Sequence, residues 1–92
     1  MAKAAKVWLV DDDPELREML RVYLAKEGYE VRCLETAEQC LALLNVQRPD
    51  LLVLDLMLPG DDGLSLLRRL RDQHDPLAVV MLTAKSDPVD RI

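Results

Sequence analysis

Hydrophobic and polar positions along this chain follow two alternating periods, and each change of period marks an element. Val7-Trp8-Leu9-Val10 is a short continuous apolar run and reads as a buried strand. From Pro14 the period lengthens. Leu16, Met19, Leu20, Tyr23 and Leu24 recur at helical spacing and form one apolar stripe. Asp13 is placed to cap that helix, with Pro14 at its first position and Gly28 ending it. Tyr29-Glu30-Val31-Arg32-Cys33-Leu34 then alternates apolar and charged residues, so this strand belongs at a wet edge of the sheet. Thr36 can cap a second helix, with Glu38 and Gln39 in its first turn and Ala37, Cys40, Leu41 and Leu44 as its stripe. Pro49 marks the loop that follows.

The second half repeats the scheme. Leu51 to Leu54 is apolar throughout, as a central parallel strand covered on both faces must be. Gly63 precedes a third helix with Leu64, Leu67 and Leu70 on one face. Asp75-Pro76 punctuates a turn, and Leu77 to Leu82 reads as a fourth strand ending in Thr83. Pro88 to Ile92 can open a further helix. Strands and helices alternating at these lengths predict an α/β fold, a doubly wound parallel sheet with right-handed crossovers. Ligands of such sheets bind outside the carboxyl ends of the strands. Asp11, Asp12, Asp55 and Thr83 all fall there.

Composition narrows the class. The chain has 92 residues, enough for one small domain, and half of it is hydrophobic. A formal net charge of -5 argues against direct binding to nucleic acid or to an anionic membrane. Arg68-Arg69-Leu70-Arg71 is a local basic cluster that reads as a solvated helix face. Cys33 and Cys40 form no CxxC pair and read as reduced packing residues of a cytoplasmic protein. The amino-terminal residues carry no signal-peptide pattern, and the best apolar run is interrupted by Asp55.

The chemistry lies in the acids. Asp50 to Gly63 is an apolar run that delivers Asp55 to a strand tip and then turns at Pro59-Gly60. A buried carboxylate is costly unless paired. Asp11-Asp12-Asp13 ends another strand, and carboxylates crowded together repel one another. A divalent cation removes the conflict. Oxygen donors suit Mg2+, and the chain has no His/Cys cluster for zinc. His74 stands alone in a predicted loop and reads as a solvated side chain. An aspartate can itself attack phosphorus to form an acyl phosphate. Asp55 is suited to attack, Asp11 and Asp12 to hold the metal, and the Thr83 hydroxyl to donate to a phosphoryl oxygen.

Val10-Asp11-Asp12-Asp13, Asp55-Leu56-Met57-Leu58-Pro59-Gly60-Asp61-Asp62-Gly63 and Met81-Leu82-Thr83-Ala84-Lys85 occur in order along the chain. With these motifs the chain resembles the receiver domain of bacterial two-component response regulators. With Val89-Asp90-Arg91-Ile92 following, it is closest to the OmpR-like subfamily. The resemblance covers essentially all of residues 1–92. It implies a flavodoxin-like sheet of strand order 2-1-3-4 and a phosphoacceptor role for Asp55, served by a sensor histidine kinase. It further implies Mg2+ bound by Asp12, by Asp11 directly or through water, by Asp55 and by the main-chain carbonyl of Met57. Thr83 becomes the switch hydroxyl, while Asp13 stays a helix cap. A transcription-regulating output domain is implied for the full-length protein.

The same resemblance implies a fifth strand and fifth helix after Ile92, with a lysine that contacts the phosphoryl group. Lys85 reads as a loop lysine and no substitute for it. On that comparison the domain is expected to be incomplete, with an exposed fourth strand and a homodimer, domain-swapped in one form. Slow phosphorylation with retained Mg2+ binding is expected, and Trp8 should report the ion. The chain then acts as a switch and not as a turnover enzyme. Two alternatives stand beside it: a truncated or degenerate receiver used as an interaction module, and a Mg2+-dependent phosphatase. Met57 counts against the phosphatase, because aspartate-nucleophile phosphatases usually carry a second acid two residues after the first.

Overall fold

A computed structural model of the chain describes residues 4–55, Leu58 and residues 63–82. Four strands and three helices alternate there: β1 (Lys6–Val10), α1 (Pro14–Lys26), β2 (Glu30–Leu34), α2 (Ala37–Leu44), β3 (Leu51–Asp55), α3 (Gly63–Asp72) and β4 (Val79–Leu82). The strands form one parallel sheet in the order β2-β1-β3-β4. The expected doubly wound 2-1-3-4 sheet is therefore present, and the alternating strand β2 does lie at an edge. The expected helix over Pro88 to Ile92 lies outside the described residues.

Strand parity divides the sheet into two faces. Trp8 and Val10 of β1 and Leu52 and Leu54 of β3 join Ala37 and Cys40 of α2 and Leu66 and Leu70 of α3 in one buried cluster. The alternate residues Val7 and Leu9 point to the other face, where α1 packs on β1 and β2. Truncating one of the fully buried leucines to alanine removes about 2–5 kcal/mol in a core of this kind.

The helical stripes depart from the sequence reading in two places. Met19 and Tyr23 are 61% and 60% exposed, and Leu16, Leu20 and Leu24 alone form the half-buried apolar row of α1. Five apolar residues overfill one narrow row, so those at its margin stay in solvent. In α3, Leu64 is 41% exposed and the inward face is Gly63, Leu66, Leu67 and Leu70. Period counting admits both rows of this leucine-rich helix, and contact with the sheet and α2 selects one. The fourth strand is shorter than expected. Leu77 is buried in the connection ahead of Val79, because Arg71 draws that connection inward by donating to the carbonyls of Asp75 and Leu77 at 2.9 and 3.0 Å.

Helix ends are set by local hydrogen bonds. Thr36 Oγ1 accepts from the Gln39 amide at 3.1 Å, and Gln39 Oε1 accepts from the Glu35 amide at 2.8 Å. At the end of α1, Gly28 adopts φ 95°. There the Gly28 amide donates to Ala25 and the Tyr29 amide to Leu24, both at 3.1 Å, which is a Schellman closure. The end of α3 repeats it with an L residue. His74 takes φ 56°, its amide donating to Arg71 at 3.0 Å while Asp75 donates to Leu70 at 2.9 Å. The exposed His74 of the sequence reading is thus a helix terminator held in the left-handed region.

A Cβ at residue 28 would meet nothing within 4 Å, so Gly28→Ala carries only the left-handed conformational cost, about 1 kcal/mol. His74→Gly should instead stabilise by about 0.5–1 kcal/mol. Urea denaturation of the two variants checks both signs. Arg48 pairs with Asp75, whose carboxylate also accepts from the Leu77 amide at 3.0 Å. The Arg48 guanidinium, ahead of any other influence, holds the Asp75 carboxyl below its ordinary value of 3.8. A carboxyl lowered in the native state contributes stability above the ordinary value and loses it as pH falls through the native one. Asp75→Asn should flatten the stability profile below about pH 4, read from denaturation midpoints across pH.

Candidate metal centre

Parallel register builds the centre. Val10 lies opposite Leu54, so Asp11 and Asp55 follow at the same level on neighbouring strands. The Asp11 amide donates to the Leu34 carbonyl at 3.1 Å, extending the β1–β2 ladder one residue beyond β1. Asp11 and Asp55 continue the odd-numbered rows of β1 and β3, the face that carries α1. Their relative exposures are 0% and 1%. Asp12, one residue on, is exposed. One carboxylate oxygen from each of Asp11, Asp12 and Asp55 lies within 4.8 Å of the other two.

The turn carrying the first two acids is pinned by its own main chain. Asp11 Oδ1 accepts from the Asp13 amide at 2.9 Å. Asp13 turns away from the cluster and caps α1, its Oδ1 accepting from the amides of Glu15 and Leu16 at 3.0 and 3.3 Å. The cap assigned to Asp13 from sequence is therefore observed. Pro14 enters as the first helical residue, and the positive end of the α1 dipole lies directly after the acidic turn. Arg17 then reaches back from α1. Its Nη1 donates to the Asp11 carbonyl at 2.8 Å, and its Nη2 approaches Glu35 at 3.9 Å.

Three of the expected site residues are thus brought together: Asp11, Asp12 and Asp55. Met57, Thr83 and Lys85 lie outside the described residues. Leu82, the residue before Thr83 in sequence, pairs with Asp55 in the β3–β4 register. Cys33 and Cys40 are free thiols, and burial pushes Cys40 up to about 11, as suits a packing residue. Sequence reading missed Arg17. Its place on the turn of α1 nearest Asp11 is the one signal that could have marked it.

The donor set at the strand tips is all oxygen, with neither histidine nor cysteine in the cluster. Such a set fits a hard divalent cation. Mg2+ commonly takes one or two carboxylates and completes its shell with water and phosphate oxygens. The cluster also carries its own conflict. Two buried carboxylates and a third beside them repel, by up to about 4 kcal/mol per pair at 4 Å and an effective dielectric of about 20. Asp55→Asn should therefore stabilise the protein in the presence of a chelator, by on the order of 1 kcal/mol. A urea midpoint lower than that of the parent would show that the acids are not in conflict.

Residues 7–92 match the response regulator receiver domain family. The chain is 43% identical over 97 aligned positions to the transcriptional regulatory protein AruR of Pseudomonas aeruginosa, covering 100% of this chain and 39% of that protein. It is 44% identical over 82 positions to the transcriptional regulatory protein AfsQ1 of Streptomyces coelicolor, covering 89% of this chain and 36% of the relative. The chain thus spans less than two fifths of the length of one relative and about that share of the other. Among solved structures, a putative response regulator from Chloroflexus aurantiacus superposes with a TM-score of 0.86 at 38% identity, covering 95% of this chain and 73% of that one.

Proposed function

The chain belongs to the response regulator receiver domain family, and from that premise we propose that Asp55 is its phosphoacceptor. The observation that carries the proposal is the meeting of Asp55 with Asp11 and Asp12 on one rim of a parallel sheet. An Asp55 carboxylate oxygen attacks phosphorus of a phosphohistidine on a sensor histidine kinase. The new O–P bond forms as the N–P bond breaks, and the imidazole leaves with its electron pair. Asp11, Asp12 and Asp55 would hold Mg2+, with the Met57 main-chain carbonyl as the family's further ligand. When bound, that ion neutralises charge building on the phosphoryl oxygens. Thr83 would then serve as the hydroxyl that meets the phosphoryl group.

In this reading the domain is a switch and takes no substrate to turnover. A Mg2+-dependent phosphatase is the weaker assignment, since Met57 stands where such enzymes carry a second acid. The relatives named above are transcriptional regulators, and we assign this receiver the control of a separate output domain that acts on transcription. A cytoplasmic location fits that role; no helix among the described residues is long and apolar enough to cross a membrane. Association as a homodimer belongs to the same proposal. Val80 and Met81 are exposed on β4, an outer strand of the described sheet, and supply its apolar surface.

One experiment tests the assignment. Incubated with Mg2+ and a small acyl phosphate, the protein should gain one phosphoryl group by intact mass. Asp55→Asn or a chelator should abolish the gain. Sedimentation of both forms reads the accompanying association. Label that persists in Asp55→Asn would move the acceptor elsewhere.

A further inference from the structure

Arg17 bonds to the acidic turn from α1, and neither the metal nor the phosphoryl chemistry above employs it. It is the fourth residue of α1, and its side chain is only 17% exposed. A surface arginine on an amphipathic helix would normally extend into water and keep its guanidinium hydrated. This one folds back to place Nη1 at 2.8 Å from the main-chain carbonyl of Asp11. Its Nη2 stands 3.9 Å from Glu35, the residue directly after β2. One guanidinium thus ties α1 to the end of β1 and leans on the end of β2.

The consequence falls on Asp11. The Asp11 amide is held by Leu34, and its carbonyl by Arg17. With the amide of the Val10–Asp11 peptide and the carbonyl of the Asp11–Asp12 peptide both committed, the two planes flanking the Asp11 Cα are fixed, and its Cα–Cβ direction is set by the fold before any ion arrives. The Asp13 amide adds to this by donating a hydrogen bond to Asp11 Oδ1. A carboxylate cluster binds a cation well only if its oxygens already converge, because the ion must otherwise offset the ordering of the loop.

We propose that Arg17 is a positioning residue of the Asp11–Asp12–Asp55 centre, clamping the Asp11 main chain so that its carboxylate is preorganised for a divalent cation. The inference rests on the metal-binding reading above. Arg17 touches neither ion nor phosphoryl group; it acts through Asp11. Its positive charge alone would have the opposite effect, since a cation beside the cluster repels a second one. The sign of the change on removing Arg17 therefore separates the two roles.

The test is calorimetric titration of Mg2+ into the unphosphorylated protein and its Arg17→Met and Arg17→Lys variants, with thermal melts in chelator alongside. Loss of a group that orients a metal ligand typically weakens binding by about 10–100-fold. Arg17→Met should weaken Mg2+ binding about tenfold. Arg17→Lys keeps the charge and a single donor on a differently shaped head, so its affinity should fall between Arg17→Met and the parent. Unchanged or tighter binding in either variant, with the parent binding normally, overturns the positioning role and leaves the metal site standing. A lowered melting temperature with unchanged affinity marks Arg17 as merely structural and overturns it equally. If Arg17→Met does not fold, Arg17→Lys carries the test on the same criterion. A parent that binds no Mg2+ removes the metal-binding reading itself, and the inference falls with it.

Discussion

Two carboxylates buried side by side at the tips of adjacent parallel strands set the terms for the rest of this molecule. Asp11 and Asp55 are almost wholly excluded from water, and Asp12 adds a third negative group within a few ångströms. A hydrophobic pair would have been easier to fold at that level of the sheet. Like charges in a poorly solvated place raise the energy of the folded chain until a cation or a change of charge relieves them. Proteins keep such features where binding depends on them, at the expense of stability. The surrounding elements can be understood as what holds the acids together in spite of their repulsion.

The restraint comes chiefly from main-chain bonds. Asp11 donates to Leu34 and accepts from Arg17, so the strand end cannot drift outward to separate the charges. Asp13 and Pro14 start α1 at once, which stops the turn from lengthening and keeps the positive helix end beside the acids. On the other strand, Asp55 is still within β3 and paired in register with Leu82. The two acids are thus presented by different devices, one by a capped turn and the other by a sheet position. Both devices are rigid.

Much of this was legible in the residues. Continuous apolar runs gave β1 and β3, and alternation placed β2 at the edge, because each pattern reports directly how many faces of a strand are covered. Caps at Asp13 and Thr36 and the Gly28 stop were readable because they are local chemistry. The convergence of Asp11, Asp12 and Asp55 followed from strand-tip placement in a parallel sheet. The failures have physical reasons. Leu64 and Leu66 both fit a helical period, and only packing against the sheet decides between rows. Met19 and Tyr23 share the spacing of the α1 stripe, yet spacing does not report how wide the buried row is. His74 was not read as a left-handed helix terminator, since glycine is the usual residue in that position. Arg17 escaped the period reading because a side chain bonded to a main-chain carbonyl obeys no sequence period, and only its nearness to Asp11 along the chain pointed to it.

Strand parity separates stability from chemistry. Even positions of β1 and β3, from Trp8 and Leu52 to Val10 and Leu54, pack into the cluster with α2 and α3. Odd positions run up the opposite face and end in Asp11 and Asp55. A register slip of one residue would exchange the two sets and bury the acids against the leucines of α3. The energetic penalty of that error is far larger than the repulsion tolerated in the correct register, because a carboxylate facing an apolar layer has neither water nor cation within reach. The acids that destabilise the native sheet therefore also exclude its nearest competitor. What they subtract from stability they return as a single permitted pairing of β1 with β3, the pairing that brings their own oxygens together.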